Sequence, residues 1–157
     1  ELDEDLAFRF NNTDVLFDKG EAELKPEFQA ILDDFFPRYV RIITQEQYRD
    51  DILEVRIEGH TSSGWFGARS DDEAYILNMN LSQERTRSTL AYVLGLKPVA
   101  DDKSWLKAHL TANGLSSAKV VRDDAGSELG SASRRVEFRV RTDAEGRIAT
   151  ILDRVQP

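Results

Sequence analysis

Two short stretches of the chain alternate apolar and charged residues with a period of two. In residues 52–59, Leu53, Val55 and Ile57 face one way and Glu54, Arg56 and Glu58 the other. In residues 135–141, Val136, Phe138 and Val140 alternate with Arg135, Glu137, Arg139 and Arg141. That period predicts strands with one buried face. Leu6, Phe8 and Phe10 suggest a third strand near the start, before a turn at Asp18-Lys19-Gly20. From Pro26 the period lengthens. Phe28, Ile31, Leu32, Phe35, Phe36, Tyr39, Val40 and Ile43 recur at helical spacing. Proline suits a first helical turn. Pro37 lies inside the run and is expected to kink or break the helix near Phe36, because it has no N–H to donate.

Gly59 is expected to end the 52–59 strand. Residues 60–76 are rich in Ser, Gly and Asp and read as a long loop. A second helix is predicted over residues 80–94, stopping at Gly95. Trp105, Leu106 and Leu110 mark a shorter third helix that ends near Asn113-Gly114. Val120-Val121 suggests a short edge strand, and 123–133 reads as loop. Ile148, Ile151, Leu152 and Val155 suggest a terminal amphipathic helix over 143–155. Strands alternating with helices of this length imply an α/β fold, a two-layer sandwich of helices on one sheet. The outward rows of the two charged strands are complementary, so pairing across the sheet is a structural use for most of those Arg and Glu residues.

The chain has 157 residues, enough for one domain. Its net charge of −8 argues against a general nucleic-acid binder, which needs a basic face. It has no cysteine, which removes disulfides, thiolate metal sites and Cys nucleophiles. No apolar stretch approaches the ~18 residues of a membrane span. The opening Glu1-Leu2-Asp3-Glu4-Asp5 is no signal peptide and lacks an initiator Met. The expectation is a single domain excised from a longer protein.

Candidate chemistry is sparse. His60 follows a strand end but has no second His or Cys at metal-ligand spacing, and His109 reads as an ordinary half-exposed helix residue. Gly59-His60-Thr61-Ser62-Ser63-Gly64 has Thr61 where a nucleophile elbow needs Ser. The acidic pairs Asp33-Asp34 and Asp71-Asp72 are sequence neighbours and do not converge on one bond. No enzyme, cofactor or metal is expected. The stretch that stands out is Asn78-Met79-Asn80-Leu81-Ser82-Gln83-Glu84-Arg85. On a helix, Asn78, Leu81, Ser82 and Arg85 fall along one stripe. Such a stripe fits either helix capping, with Ser82 or Asn80 as the cap, or ligand binding.

Three pieces in order carry a resemblance: Ile57-Glu58-Gly59-His60-Thr61, Asn78-x-x-Leu81-Ser82-x-x-Arg85-Thr86, and Ser133-Arg134-Arg135-Val136-Glu137-Phe138. With Val15-Leu16-Phe17-Asp18, they resemble the OmpA C-terminal-like domain family, which includes MotB-type stator proteins and Pal-type lipoproteins. The likeness covers residues 6–142 and leaves 143–157 as an extension. It implies a βαβαβ core with helices packed on one mixed sheet, and non-covalent binding of peptidoglycan that anchors an envelope protein in the periplasm. It implies that the diaminopimelate residue of the stem peptide sits by the strand-end loop and the start of the second helix. Arg85 would hold its carboxylate, helped by Asn78, Leu81, Thr61, Asp18 and one of Arg134 and Arg135. A guanidinium fork suits that task, and a helix N-terminus would add free N–H groups. The implied partners are peptidoglycan and, optionally, a second copy of the chain. Membrane attachment would come only through a region N-terminal to this one.

The chain departs from the family at Ser62, where an Asp usually takes the diaminopimelate ammonium, at Ser133, where Asn is common, and in its long 60–76 loop. Two readings of that loop stay open. Asp71 and Asp72 fold back as the missing anion with Trp65 or Tyr75 covering the ligand, or the loop is mobile and solvated. The alternative function is an assembly domain that kept the fold and lost wall binding. Arg85→Ala is expected to abolish most binding with the fold intact.

Overall fold

The computed structural model describes residues 7–143. Leu6 and the suggested helix over 143–155, with Ile148, Ile151, Leu152 and Val155, lie outside them, Asp143 apart. A four-stranded mixed sheet has the order β1-β4-β2-β3. Its strands are β1 (Ala7–Phe10), β2 (Ile52–His60), β3 (Leu110–Gly114) and β4 (Arg135–Thr142). β4 runs antiparallel to both β1 and β2, while β3 runs parallel to β2. The helices are α1 (Thr13–Leu16), α2 (Pro26–Ile43), α3 (Glu46–Arg49), α4 (Asp71–Leu94), α5 (Lys103–His109) and α6 (Gly130–Ser133). Among the described residues, no helix is long and apolar enough to cross a membrane.

One core lies between the sheet and α2, α4 and α5. Phe28, Leu32, Phe36 and Val40 of α2 meet Val55 and Ile57 of β2 and Val136 and Phe138 of β4. Phe138 packs edge-on against Phe10, Phe35 and Tyr39, a geometry that aromatic quadrupoles favour. The alternation in β2 and β4 therefore reads correctly, with one exception. A register shift between Ile52 and Glu54 turns Ile52 inward and leaves Leu53 53% exposed.

Pro37 does not break α2, which runs unbroken from Pro26 to Ile43. The carbonyl left without a helical partner belongs to Asp33, on the exposed face where water can serve it. The buried Phe36, Tyr39 and Val40 hold both halves to the core.

The second helix begins two turns before its predicted start. Ser70 is its N-cap and accepts a hydrogen bond from the Glu73 amide at 3.1 Å, while the Glu73 carboxylate accepts from the Arg69 amide at 2.6 Å. This reciprocal cap shortens the loop to residues 61–70. The sheet edge is β3, entered directly from α5, and not Val120-Val121, where no strand forms. His109, half-buried, stacks on Trp105.

Gly59 does not end β2. It pairs with Gly114 of β3, and α4 crosses over both. A Cβ on Gly59 would stand 2.8 Å from Thr86 Cγ2 and 2.9 Å from the Ser82 carbonyl; one on Gly114 would collide with the Gln83 backbone. This missing pair of side chains lets α4 lie directly on the sheet at Ser82–Thr86 and sets the height of the Asn78–Arg85 stripe.

Candidate functional site

The stripe opens into a cavity of about 890 Å3. α4 contributes Asn78, Leu81 and Arg85. The β2–α4 loop contributes Thr61, Ser62, Trp65 and Phe66. α1 and the turn after it add Asp14, Phe17 and Lys19, and Arg134 enters from just before β4. Of the predicted site residues, Thr61, Ser62, Asn78, Leu81, Arg85 and Arg134 are thus brought together.

Arg85 is only 8% exposed. Its Nε donates to the Glu21 carbonyl at 2.8 Å and its Nη2 to the Asp18 carbonyl at 3.2 Å. The guanidinium lies over the Phe17 ring, 4.7 Å from its centroid. Two of five N–H donors are committed to backbone, which fixes the fork and leaves three for a ligand. Burial, and then the neighbouring Arg134 cation, bring its pKa down to about 10, so it stays charged at neutral pH. The guanidinium of Arg134, which is half-buried, makes no hydrogen bond or ion pair within the described residues, and the Glu128 carboxylate is near enough to feel its charge. Two guanidiniums in one cavity repel each other, and an anion between them relieves that repulsion.

The remaining positions divide. Asn78 donates from Nδ2 to the Gly64 carbonyl at 3.1 Å, pinning the loop to the helix. Thr61 is buried, and its hydroxyl has no hydrogen-bond partner among the described residues. Ser82 is no cap: its hydroxyl accepts from the Ser116 amide at 3.1 Å and donates to the Met79 carbonyl. Asp18 offers only its backbone; its exposed carboxylate lies 3.7 Å from Lys25 Nζ, outside the cavity. Arg135 is turned away into the opposite sheet face. There its Nε meets Glu137 at 2.6 Å and its Nη1 the Ser133 carbonyl at 3.0 Å. The arginine facing the cavity is Arg134.

Asp71 and Asp72 sit in the first turn of α4 and do not line the cavity. The helix dipole and Ser70 cap hold them there. The acidic residue that does line it, among the described residues, is Asp14. Sequence reasoning missed Asp14, and nothing in the local pattern marks it. Glu128 is also near. It accepts from the Ser63 amide at 2.8 Å and the Ser63 hydroxyl at 2.5 Å, which hold its carboxyl below its ordinary range. It clasps two loops together.

The stripe's N-terminal groups are not free, since the helix starts at Asp71. The predicted contribution of a helix N-terminus to the anion site is therefore absent, and the positive charge comes from side chains alone.

On the sheet face away from α2 and α4, Glu58, His60 and Glu137 bring their ligand-type atoms within 4.8 Å of one another. His60 is 4% exposed; its Nε2 lies 3.6 Å from Glu58 and 3.9 Å from Glu137. Guanidiniums already occupy both carboxylates. Glu137 takes Arg9 at 2.8 Å, Arg135 at 2.6 Å and Arg139 at 3.0 Å; Glu58 takes Arg56 at 3.0 Å and Arg139 at 3.2 Å. With Arg141–Glu54 at 2.7 Å, this is the cross-strand charge pairing that the sequence implied.

No protein-family model matches the chain. It is 49% identical over 147 residues to the Zorya protein ZorB of Escherichia coli, covering 94% of this chain and 62% of that protein. The chain thus spans less than two thirds of that relative's length. Among solved structures, a MotB-like protein from Desulfovibrio vulgaris superposes with a TM-score of 0.59 at 26% identity, over 87% of this chain and 72% of that one. A periplasmic domain of Helicobacter pylori MotB gives 0.58 at 14% identity, over 94% and 91%. The cell wall anchor of the T6SS from Pseudomonas aeruginosa gives 0.54 at 23%, over 87% and 80%. The last two show the fold alone. The chain has the OmpA-like fold of these MotB-like and wall-anchor domains.

Proposed function

We propose that this domain binds peptidoglycan without catalysis and anchors a longer, MotB-like envelope protein to the cell wall from the periplasm. The observation that carries the reading is the pair Arg85 and Arg134 in one cavity, with no carboxylate side chain hydrogen-bonded to either among the described residues. A stem-peptide carboxylate fits between them, and the unpaired Thr61 hydroxyl and Asn78 amide lie beside it. MotB-like and wall-anchor neighbours support the same reading. The domain should pellet with diaminopimelate-type sacculi at low salt and release as salt screens the two cations. Pelleting no better than an inert control protein at low salt would hand the case to the assembly-domain reading.

The ligand's finer identity is diaminopimelate, whose free amino acid end carries an ammonium beside its carboxylate. Ser62 offers that ammonium only a neutral acceptor. Asp14 supplies the charge instead. It is exposed, so the contact is worth the modest ~0.5–1 kcal/mol of a surface pair, about two- to fivefold in affinity. Asp14→Asn should show that loss in titration against a diaminopimelate stem peptide. Adding Ser62→Asp should recover it, and an Asp14→Asn variant with unchanged affinity removes Asp14 from the site.

A further inference from the structure

The cavity is larger than an anion site needs. At about 890 Å3 it approaches the top of the range for pockets that enclose a drug-sized ligand. A single amino-acid residue on Arg85 and Arg134 fills the smaller part of it. The β2–α4 loop lines the rest with two aromatics, Trp65 and Phe66. Trp65 is half-buried, while Phe66 is 98% exposed.

Phe66 is not exposed because its loop is slack. The Thr61 amide donates to the Ser116 carbonyl at 2.9 Å, and Ser63 is clasped by Glu128. Asn78 holds the Gly64 carbonyl, the Ala68 amide closes a turn on the Trp65 carbonyl at 3.2 Å, and Glu73 takes the Arg69 amide. A phenyl ring is thus presented to solvent at the rim of a charged cavity by a loop tied at both ends and in the middle. Exposed apolar surface of that kind, continuous with a binding cavity, marks contact with a ligand.

We infer that Phe66, with Trp65, is a sugar platform. The glycan residue that carries the stem peptide lies against the ring while the peptide carboxylate sits on Arg85 and Arg134. This rests on the peptidoglycan reading above. A pyranose has one face made of C–H bonds, whose partial positive charge suits the electron-rich face of an aromatic ring. Its hydroxyl and amide groups are neutral and stay in water at an open rim. Peptide and sugar are one covalent ligand, so whatever leaves the cavity past the rim is already tethered there, and a weak contact suffices.

Titration with two soluble probes tests this: a diaminopimelate stem peptide without sugar, and the same peptide on N-acetylmuramic acid. The wild-type domain should bind the muramyl peptide about tenfold tighter, the scale of partly covering one phenyl ring. Phe66→Ala should erase that advantage and leave the free peptide's affinity unchanged; Phe66→Trp should keep it. Equal affinity for both probes in the wild type overturns the platform. So does equal weakening of both by Phe66→Ala, or a Phe66→Ala variant that binds both normally and instead shifts from dimer to monomer in sedimentation. Failure of the underlying reading looks different: neither probe then binds the wild-type domain, and the platform falls with it.

Discussion

Arg134→Ala is expected to lose about ten- to a hundredfold in affinity for peptidoglycan at unchanged thermal stability, the ~1.5–3 kcal/mol of a hydrogen bond to a charged group. The Arg134 guanidinium makes no hydrogen bond among the described residues, and its backbone bond to Gly130 survives truncation, so its loss removes a ligand contact and relieves its repulsion with Arg85. Arg85→Ala should weaken binding at least as much, but it does not leave the fold untouched, as the sequence alone suggested. Arg85 ties the Glu21 and Asp18 carbonyls to α4 and covers the Phe17 ring, so its truncation strands two acceptors and should also lower stability by ~1–3 kcal/mol. Arg85→Lys keeps the charge and loses the fork, and should restore part of the binding only. Sacculus pelleting beside a thermal melt separates the two effects. An Arg134→Ala variant that pellets like the wild type would remove Arg134 from the anion site.

Glu137→Ala should destabilise the domain by about 3–5 kcal/mol, the cost of breaking a buried ion pair from one side. Glu137 is 0% exposed and accepts from Arg9, Arg135 and Arg139. Its truncation leaves the buried Arg135 guanidinium without its carboxylate. A loss below ~1 kcal/mol in denaturant unfolding at neutral pH would show that the network is worth little. Acid should attack the same place. Burial alone would raise Glu58, but its contacts with His60, Arg56 and Arg139 outweigh burial and bring it from 4.5 down to about 2. Glu137 is lowered as well: burial opposes, and Arg135 prevails. A depressed carboxylate contributes stability that is complete above its unfolded value and is lost as pH falls through its folded value. For Glu58 that window runs from 4.5 down to about 2, and the loss is on the order of 3 kcal/mol. The two carboxylates share Arg139, so their losses are not additive. Glu58→Gln should flatten the stability curve between those pH values.

Much of the fold is legible in the local pattern, and the reason is visible residue by residue. Val55 and Ile57 alternate with Arg56 and Glu58 because one face packs on α2 and the other carries the ion pairs; the period records both environments. Phe28, Leu32, Phe36 and Val40 record a single buried helix face in the same way. The start of α4 also had a local signal, the Ser70-x-x-Glu73 cap, hidden in a stretch whose Ser, Gly and Asp content reads as loop. β3 had a weaker one. Leu110-Thr111-Ala112-Asn113-Gly114 alternates over only five residues, directly after a helical stretch that Leu110 also fits, and it is a strand because β2 lies beside it and α4 rests on its glycine.

The site divides along the same line. The residue types that can hold an anion, and the helical stripe that aligns Asn78, Leu81 and Arg85, follow from the sequence alone, because helical periodicity fixes neighbours on one face. Which arginine faces the ligand does not. Arg134 and Arg135 are adjacent, and the register of β4 against β2 sends Arg135 to the ion-pair face beside Glu137. Arg134, just before the strand, faces the cavity. Asp14, some seventy residues before Arg85, joins the site only because Arg85 ties the turn after α1 to α4 through the Asp18 and Glu21 carbonyls. Composition and period determined the layers and the stripe; strand register and the glycine-mediated approach of α4 decided which charges meet, because those depend on contacts between residues far apart in the chain.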